Sequence, residues 1–388
     1  MLQIAEYVFF VSLIVFAGFY VFYYLICYYF KSKPKNKVNG LPKDDADPPK
    51  VSFIVPVFNE NRILDKKIKN LQELDYPRSR LEIIFVDGGS TDGSIETIRK
   101  AIGRVNLDIK LVEQGRRMGF NKAVVDGFNA STGDIISIPG AETMYAPDAL
   151  RRMVRPFLNE RVGAVNGRQI IENLDEGLSP KLEHAYRHAQ DFLREGEDNM
   201  DTLFDVKGEI VAGRRGIVEE LVGNPEFRKK GCIDACFFFQ ARKDGYSTVY
   251  DSDAVYYEFS PRSFGASFKQ RFRRAATLIQ NMLIFKDMIL NRKYGLLGML
   301  IMPAHFLMLI ILPYLFFSGL VSFLILQVVY FPNVVYLSAL ALGVLVLSFS
   351  KTFQTFCQLQ LVLITSHLKM LKGVETQKFE KLESARPV

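Results

Sequence analysis

Residues 81–94, LEIIFVDGGSTDGS, restrict what this chain can fold into more than any other stretch. Leu81 and residues 83–86 are apolar in near succession rather than in alternation, the pattern of a strand buried on both faces, as in a parallel sheet. The run ends in an acid, two glycines, a serine, a threonine and a second acid, so the chain leaves the core within one residue. In open α/β sheets ligands sit beyond the carboxyl ends of strands, which puts Asp87 at the edge of a crevice. Gly88 and Gly89 can take backbone angles closed to other residues, and Ser90, Thr91 or Asp92 can cap a helix expected over 95–101. An ordinary strand-to-helix turn has the same composition, so the neighbouring segments must decide between the two.

They repeat the pattern. Residues 51–57 (VSFIVPV) read as a buried strand, followed by the turn Phe58-Asn59-Glu60-Asn61 and a helix to about residue 74. A helix near 94–104, a strand over 109–113 and a helix from 120 to about 131 come next. The strand at 134–139 (DIISIP) ends in Gly140-Ala141-Glu142, a second acid at a strand end. A helix over 147–158, a strand over 162–171 and an amphipathic helix over 178–199 follow, and a last strand is expected over 249–257. Strands alternating with helices at this spacing predict right-handed βαβ units and an α/β fold with a mostly parallel sheet. The glycines fit neither a dinucleotide fingerprint nor a GxxxxGK phosphate loop, which removes support for hydride transfer and ATP hydrolysis. Asp234 opens an apolar run containing Phe237, Phe238 and Phe239, so its carboxyl should be partly desolvated and suited to accept a proton. His184 and His188 lie one turn apart without an evident third ligand, and read as ordinary helix residues.

Residues 7–30 carry no charge, longer than a bilayer's hydrocarbon core requires, and the lysines KSKPKNK follow at 31–37. A membrane-spanning helix is expected there, with the amino terminus outside and the lysine-rich side in the cytoplasm. The excess charge of +7 clusters beside apolar segments, at 31–37, 262–274 and 291–293. That placement predicts an anionic membrane surface as partner and no nucleic acid. Residues 260–286 read as a basic amphipathic helix lying on that surface. Residues 294–371 suffice for two long spans, or three shorter ones, with a break near 330–333. An even number returns the charged tail to the cytoplasm, which favours two. The expected organisation is a membrane helix at 1–30, a basic linker at 31–49, an α/β domain at 50–259, interface helices at 260–293, the membrane region at 294–371 and a cytoplasmic tail at 372–388. Four cysteines, none in a CxxC pair, predict reduced thiols rather than a disulfide framework.

Taken in order, Pro56-Val57-Phe58-Asn59-Glu60, the pair Asp87 and Asp92, the acid at the fourth strand, Asp234, and Gln270-Arg271-Phe272-Arg273-Arg274 resemble family 2 inverting glycosyltransferases with the GT-A fold, a Rossmann-like sheet. With membrane helices on both sides, the chain is similar to the cellulose synthase and hyaluronan synthase group. The resemblance implies that Asp87 holds the nucleotide base, that Asp92 belongs to the same pocket, and that Pro56 and Glu60 contact base and ribose. The family's metal-binding DxD falls on Gly140-Ala141-Glu142, lacking its first acid; Glu142 remains as an oxygen ligand for Mg²⁺ or Mn²⁺. Asp234 matches the catalytic base, with Ile233 where relatives carry glutamate. Gln270 and Arg273 match the diphosphate-contacting motif, in which Arg274 replaces tryptophan.

The implied activity is a membrane-bound inverting hexosyl transfer from GDP-mannose or a UDP-hexose to a hydroxyl of a lipid-linked sugar or glycolipid on the cytoplasmic face. The alternatives are a processive polysaccharide synthase and an inactive scaffold retaining the fold.

Overall fold

The computed structural model describes residues 2–33, 47–330, 338, 343 and 350–371. Most of the expected linker, the break near 330–333 and the tail lie outside the described residues. The strands are β1 (Val51–Val57), β2 (Leu81–Asp87), β3 (Asp108–Glu113), β4 (Ile135–Ser137), β5 (Met144–Tyr145), β6 (Val162–Ile171), β7 (Val211–Arg214) and β8 (Ser247–Glu258). They form one sheet in the order β3-β2-β1-β4-β7-β6-β8-β5. β1 pairs in parallel with β2 on one flank, Val57 opposite Asp87, and with β4 on the other, Val51 opposite Ile135. The chain thus winds one way from β1 to β2 and β3, then crosses to β4. That reversal is a topological switch point, where the loops beyond two neighbouring strands part and leave a crevice. β7 runs antiparallel between β4 and β6, and β8 is parallel to β6.

Both faces of the sheet are covered, which is why its strands are continuously apolar. Phe53, Val55, Ile83 and Phe85 pack under α2 (Asn61–Gln72), α3 (Ser94–Ala101) and α5 (Ala149–Val154). Ile54, Ile84 and Val86 face α4 (Phe120–Ala130), α7 (Arg215–Gly223) and α8 (Phe237–Lys243). Most expected elements appear with shifted ends. α3 stops at Ala101 before Gly103, whose φ is +76°. The helix expected over 147–158 gives way at Arg155 to a 3₁₀ turn containing Pro156, which cannot donate an amide bond.

The second core cluster continues without interruption into the apolar helices. α1 (Leu2–Lys31) and α10 (Leu297–Tyr330) are the described helices long and apolar enough to cross a membrane. α10 holds two π-helical turns, Leu297–Ile301 and Leu307–Ile311, on either side of Pro303; Pro303 and Pro313 each lack the donor a regular turn needs. α6 (Leu178–Met200) lies along α1, and α11 (Lys351–Leu371) packs on α9 (Phe264–Ile284) and α6. α11 carries Gln354, Gln358, Gln360 and His367 and is not among the described helices apolar enough to cross; much of the second span expected over 294–371 lies outside the described residues. α9 differs from expectation as well. Gln270 and Arg271 are buried, and Arg271 bonds to Glu183 of α6 and Gln358 of α11 rather than turning to lipid headgroups.

Candidate active site

A cavity of about 850 Å³ opens beyond β1 and β4, at the upper end of the roughly 300–1,000 Å³ usual for small-molecule sites. Pro56 and Glu60 reach it from the end of β1, Glu142 from the turn after β4, Asp234 from the 3₁₀ turn preceding α8, and Gln270 and Arg273 from α9. Six of the eight residues singled out in the sequence therefore share one lining. Asp87 and Asp92 do not contribute to it.

Those two acids build the rim. Asp87 is fully buried; its Oδ1 accepts from the amides of Gly89 and Ser90, both at 2.8 Å, and its Oδ2 from the Ser90 hydroxyl at 2.5 Å. Ser90 Oγ in turn accepts from Asn59 N, and Asp92 accepts from Asn61 N and Ser94 Oγ, which itself accepts from Glu60 N. The loops after β1 and β2 are thus stitched together, and Glu60 is aimed by acids that never touch the cavity. Gly89, at φ +82°, is required: a Cβ there would lie 2.9 Å from Arg116 Cα. The residue at the α3 cap position is Gly93, while Asp92 Oδ1 takes the Ser94 amide. Above the rim Arg117 stacks 4.4 Å over the Phe58 ring, both lining the cavity.

Asp234 is 8% exposed and has two neighbours of note. Its Oδ1 accepts from the Ala235 amide at 2.7 Å. Its Oδ2 lies so close to the backbone of Gly208 that a Cβ on that residue would stand 1.9 Å away. Burial pushes the Asp234 pKa up to about 6, against the pull of hydrogen bonds from Cys232 and Ala235. Cys232 and Cys236 are free thiols, raised by burial and by the carboxylate between them.

Around these stand groups the sequence did not single out. Glu209, in the loop before β7, and Glu258, at the end of β8, line the cavity with Glu142. Burial raises the Glu258 pKa, with Glu209 and Glu142 adding like charge. Glu142 folds back over its own turn: a Cβ on Gly140 would sit 2.8 Å from Glu142 Oε2, so the place of the missing first acid is taken by the second acid's carboxylate. On the opposite wall Glu183 is buried among three guanidinium groups, ion-paired to Arg187, to Arg271 at 2.9 Å and to Arg274 at 3.3 Å, and Arg271 also donates to Gln358 Oε1 at 2.7 Å. Arg274 extends to Glu258 at 3.7 Å. Arg273, half-buried, has its pKa lowered by burial and by Arg274, with Glu209 and Glu142 opposing. Two signals pointed to these residues: Glu258 ends an apolar strand as Asp87 does, and Glu183 and Arg187 stand four apart on α6. Glu209 carried none.

Among the described residues no group of three or more His, Cys, Asp or Glu side chains is disposed as a preformed metal centre, and His184 and His188 lie outside the cavity. The donor set nevertheless fits a hard divalent cation held jointly with a ligand's oxygens. Glu142 presents a carboxylate, and the crowding that raises Glu258 is the negative field a cation would relieve.

Residues 52–222 match the family described as Glycosyl transferase family 2. The chain is 27% identical over 190 residues to a beta-monoglucosyldiacylglycerol synthase of Nostoc sp., and 23% identical over 253 residues to a poly-beta-1,6-N-acetyl-D-glucosamine synthase of Staphylococcus epidermidis. These alignments take in 48% and 64% of this chain but 37% and 60% of those relatives, so the chain spans from about a third to three fifths of the length of the curated relatives it matches. A solved mannosyltransferase of Pyrobaculum calidifontis, in complex with GDP-Man and Mn²⁺, superposes with a TM-score of 0.79 at 25% identity, covering 95% of this chain and 99% of that one. The family match over the sheet and the whole-chain structural likeness agree: residues 52–222 are similar to glycosyl transferase family 2, and the chain has the GT-A fold.

Proposed function

We propose that this protein is a membrane-bound inverting hexosyltransferase that moves a sugar from a nucleotide donor to a hydroxyl of a lipid-linked saccharide or glycolipid. One observation carries the reading: Glu60, Glu142, Asp234 and Arg273, from four separate segments, converge on a single cavity that also borders α1 and α11. The GDP-Man and Mn²⁺ bound to the Pyrobaculum mannosyltransferase support GDP-mannose as donor, with UDP-hexoses the other class to test. The acceptor is assigned to a lipid because the cavity reaches the apolar helices, and because one similar relative is named for glucosyldiacylglycerol synthesis. In this reading residues 50–259 form the catalytic part, with Asp87 and Asp92 shaping the nucleotide pocket from behind. Residues 1–30 and 294–371 anchor it, with the amino terminus outside and the catalytic part and carboxyl terminus in the cytoplasm.

The residues divide the work by charge. Pro56 and Glu60 border the base and ribose, and Gln270 and Arg273 face the diphosphate, where negative charge grows on the leaving oxygen as the anomeric bond breaks. Glu142 would hold Mg²⁺ or Mn²⁺, which when bound neutralises charge on the diphosphate. Asp234, ionised above about pH 6, takes the proton of the acceptor hydroxyl. The freed oxygen attacks the anomeric carbon from the face opposite the diphosphate, which leaves with the bonding electron pair, so the configuration inverts.

The test is a thermal-shift screen of GDP and UDP with and without Mn²⁺, then transfer of radiolabelled sugar from the preferred donor by wild type and Asp234→Asn. Stabilisation by one nucleotide, greater with Mn²⁺, and loss of at least about a hundredfold in transfer are expected. If no nucleotide stabilises the protein, or if Asp234→Asn transfers sugar at the wild-type rate, the reading fails.

A further inference from the structure

The cavity does not end at the polar groups. It continues between the apolar helices, where its wall is Phe16, Ala17 and Tyr20 of α1, Met308 of α10, and Phe356 and Leu363 of α11. Rings from three helices close its far end: Phe16 lies 5.6 Å from Phe316 and 5.8 Å from Phe356, and those two are 5.3 Å apart. The near side is open. Ala17 lines the cavity and is exposed, so the arm opens beside α1, a helix long and apolar enough to cross a membrane. Where arm and polar chamber meet, Gln360 is 2% exposed with its side chain against the Tyr20 hydroxyl, and its Oε1 has no hydrogen-bond partner among the described residues. Buried amide oxygens are almost always satisfied, so an unpaired one on a residue of the cavity wall is a place for a ligand's donor.

We infer that this arm is a lipid subsite: it takes the hydrocarbon chain of the acceptor, which enters from the bilayer past Ala17, while Gln360 Oε1 accepts a hydrogen bond from a hydroxyl at the junction of chain and head group. The inference rests on the cavity being the transfer site proposed above. An acyl or isoprenoid chain fits because the arm is aromatic and aliphatic along its length and opens where hydrocarbon would surround α1; a soluble sugar would find no partners there. The chain-and-hydroxyl pairing also orients the acceptor, since its saccharide end is then directed from Gln360 toward Asp234.

The full chain in lipid nanodiscs, without any nucleotide sugar, would be photolysed with a hexadecyl glucoside bearing a diazirine near the chain terminus, and labelled peptides mapped by mass spectrometry. Label is expected on the segments holding residues 16–20 and 356–363, competed by unlabelled hexadecyl glucoside but not by added phosphatidylcholine. Ala17→Trp, at an exposed position where the larger side chain can be accommodated, should plug the mouth and reduce that label at least about fivefold, with the GDP thermal shift confirming that the variant is folded. Gln360→Leu should raise the KM for the lipid acceptor about tenfold with the donor KM unmoved. Label confined to lipid-facing surfaces, label displaced by phosphatidylcholine, or label indifferent to Ala17→Trp would each overturn the subsite. Because labelling needs no turnover, a wild-type protein that is labelled in the arm but transfers no sugar supports the subsite and overturns the transfer function instead.

Discussion

Gly208→Ala is the smallest change that should disable the proposed base while leaving the fold intact. The backbone at 208 is not in the left-handed region, so alanine is conformationally acceptable. The conflict is with one atom: the new methyl would stand 1.9 Å from Asp234 Oδ2, whereas real Cβ contacts essentially never fall under 3.0 Å. The carboxylate must retreat by about an ångström or rotate away, since the backbone of Gly208 is anchored next to Glu209, whose carbonyl accepts from the Tyr145 hydroxyl. A misplacement of this size costs about a hundredfold in a reaction that depends on a near-attack geometry. Removing the base altogether, as Asp234→Asn, should cost about 10²- to 10⁴-fold. The decisive comparison is the double variant. If Gly208→Ala acts through Asp234, adding it to Asp234→Asn costs almost nothing further, and the interaction term in a double-mutant cycle on kcat equals the whole effect of Gly208→Ala. Transfer of radiolabelled sugar under saturating donor and acceptor supplies the rates. A Gly208→Ala variant with wild-type kcat, or losses that multiply in the double variant, would refute the assignment.

The pH profile of kcat should fall tenfold per unit below about pH 6, because the Asp234 carboxylate must be ionised to accept a proton; a profile flat to pH 5 contradicts it. The same raised pKa has a stability consequence: the folded state favours the protonated acid, so the burden of a buried charge is absent below the unfolded value near 3.8, grows between there and about pH 6 and is complete above it, and Asp234→Asn should unfold at a higher temperature than wild type at pH 8 but not at pH 4. Glu183→Gln removes the buried charge that three guanidinium groups share and should cost about 3–5 kcal/mol in thermal unfolding, whereas Arg274→Ala, which leaves Glu183 paired with Arg187 and Arg271, should cost no more than about 1 kcal/mol. Glu142→Gln should abolish the extra stabilisation that Mn²⁺ gives to bound GDP, read as a thermal shift, while the metal-free nucleotide shift stays within about twofold.

The sheet was visible in the sequence because its strands are covered on both faces and therefore run apolar from end to end, as in residues 51–57 and 81–87. Strand ends could be read for the same reason, since the apolar runs break at Asp87 and at Gly140-Ala141-Glu142. Two things were not visible. β7 inserts antiparallel between β4 and β6 from a short VAGR segment whose pattern carries no direction. The second is the fate of the basic residues on α9: Arg271 and Arg274 look like headgroup cations because a pattern of charges cannot reveal a buried Glu183 some ninety residues earlier. Asp87 illustrates the converse limit. Its position at the switch point was legible, but not that its carboxylate accepts from the Gly89 and Ser90 amides and so shapes the loop packed beside Glu60.

A structure of the full chain with GDP and Mn²⁺ tests most directly whether the crevice at the β1 and β4 switch point is the donor site. The diphosphate should lie between Glu142 and Arg273 with the ribose toward Pro56 and Glu60, leaving Asp234 facing the still open arm beneath Gln360. Nucleotide density on any other surface, with Glu142 and Arg273 untouched, would contradict the account.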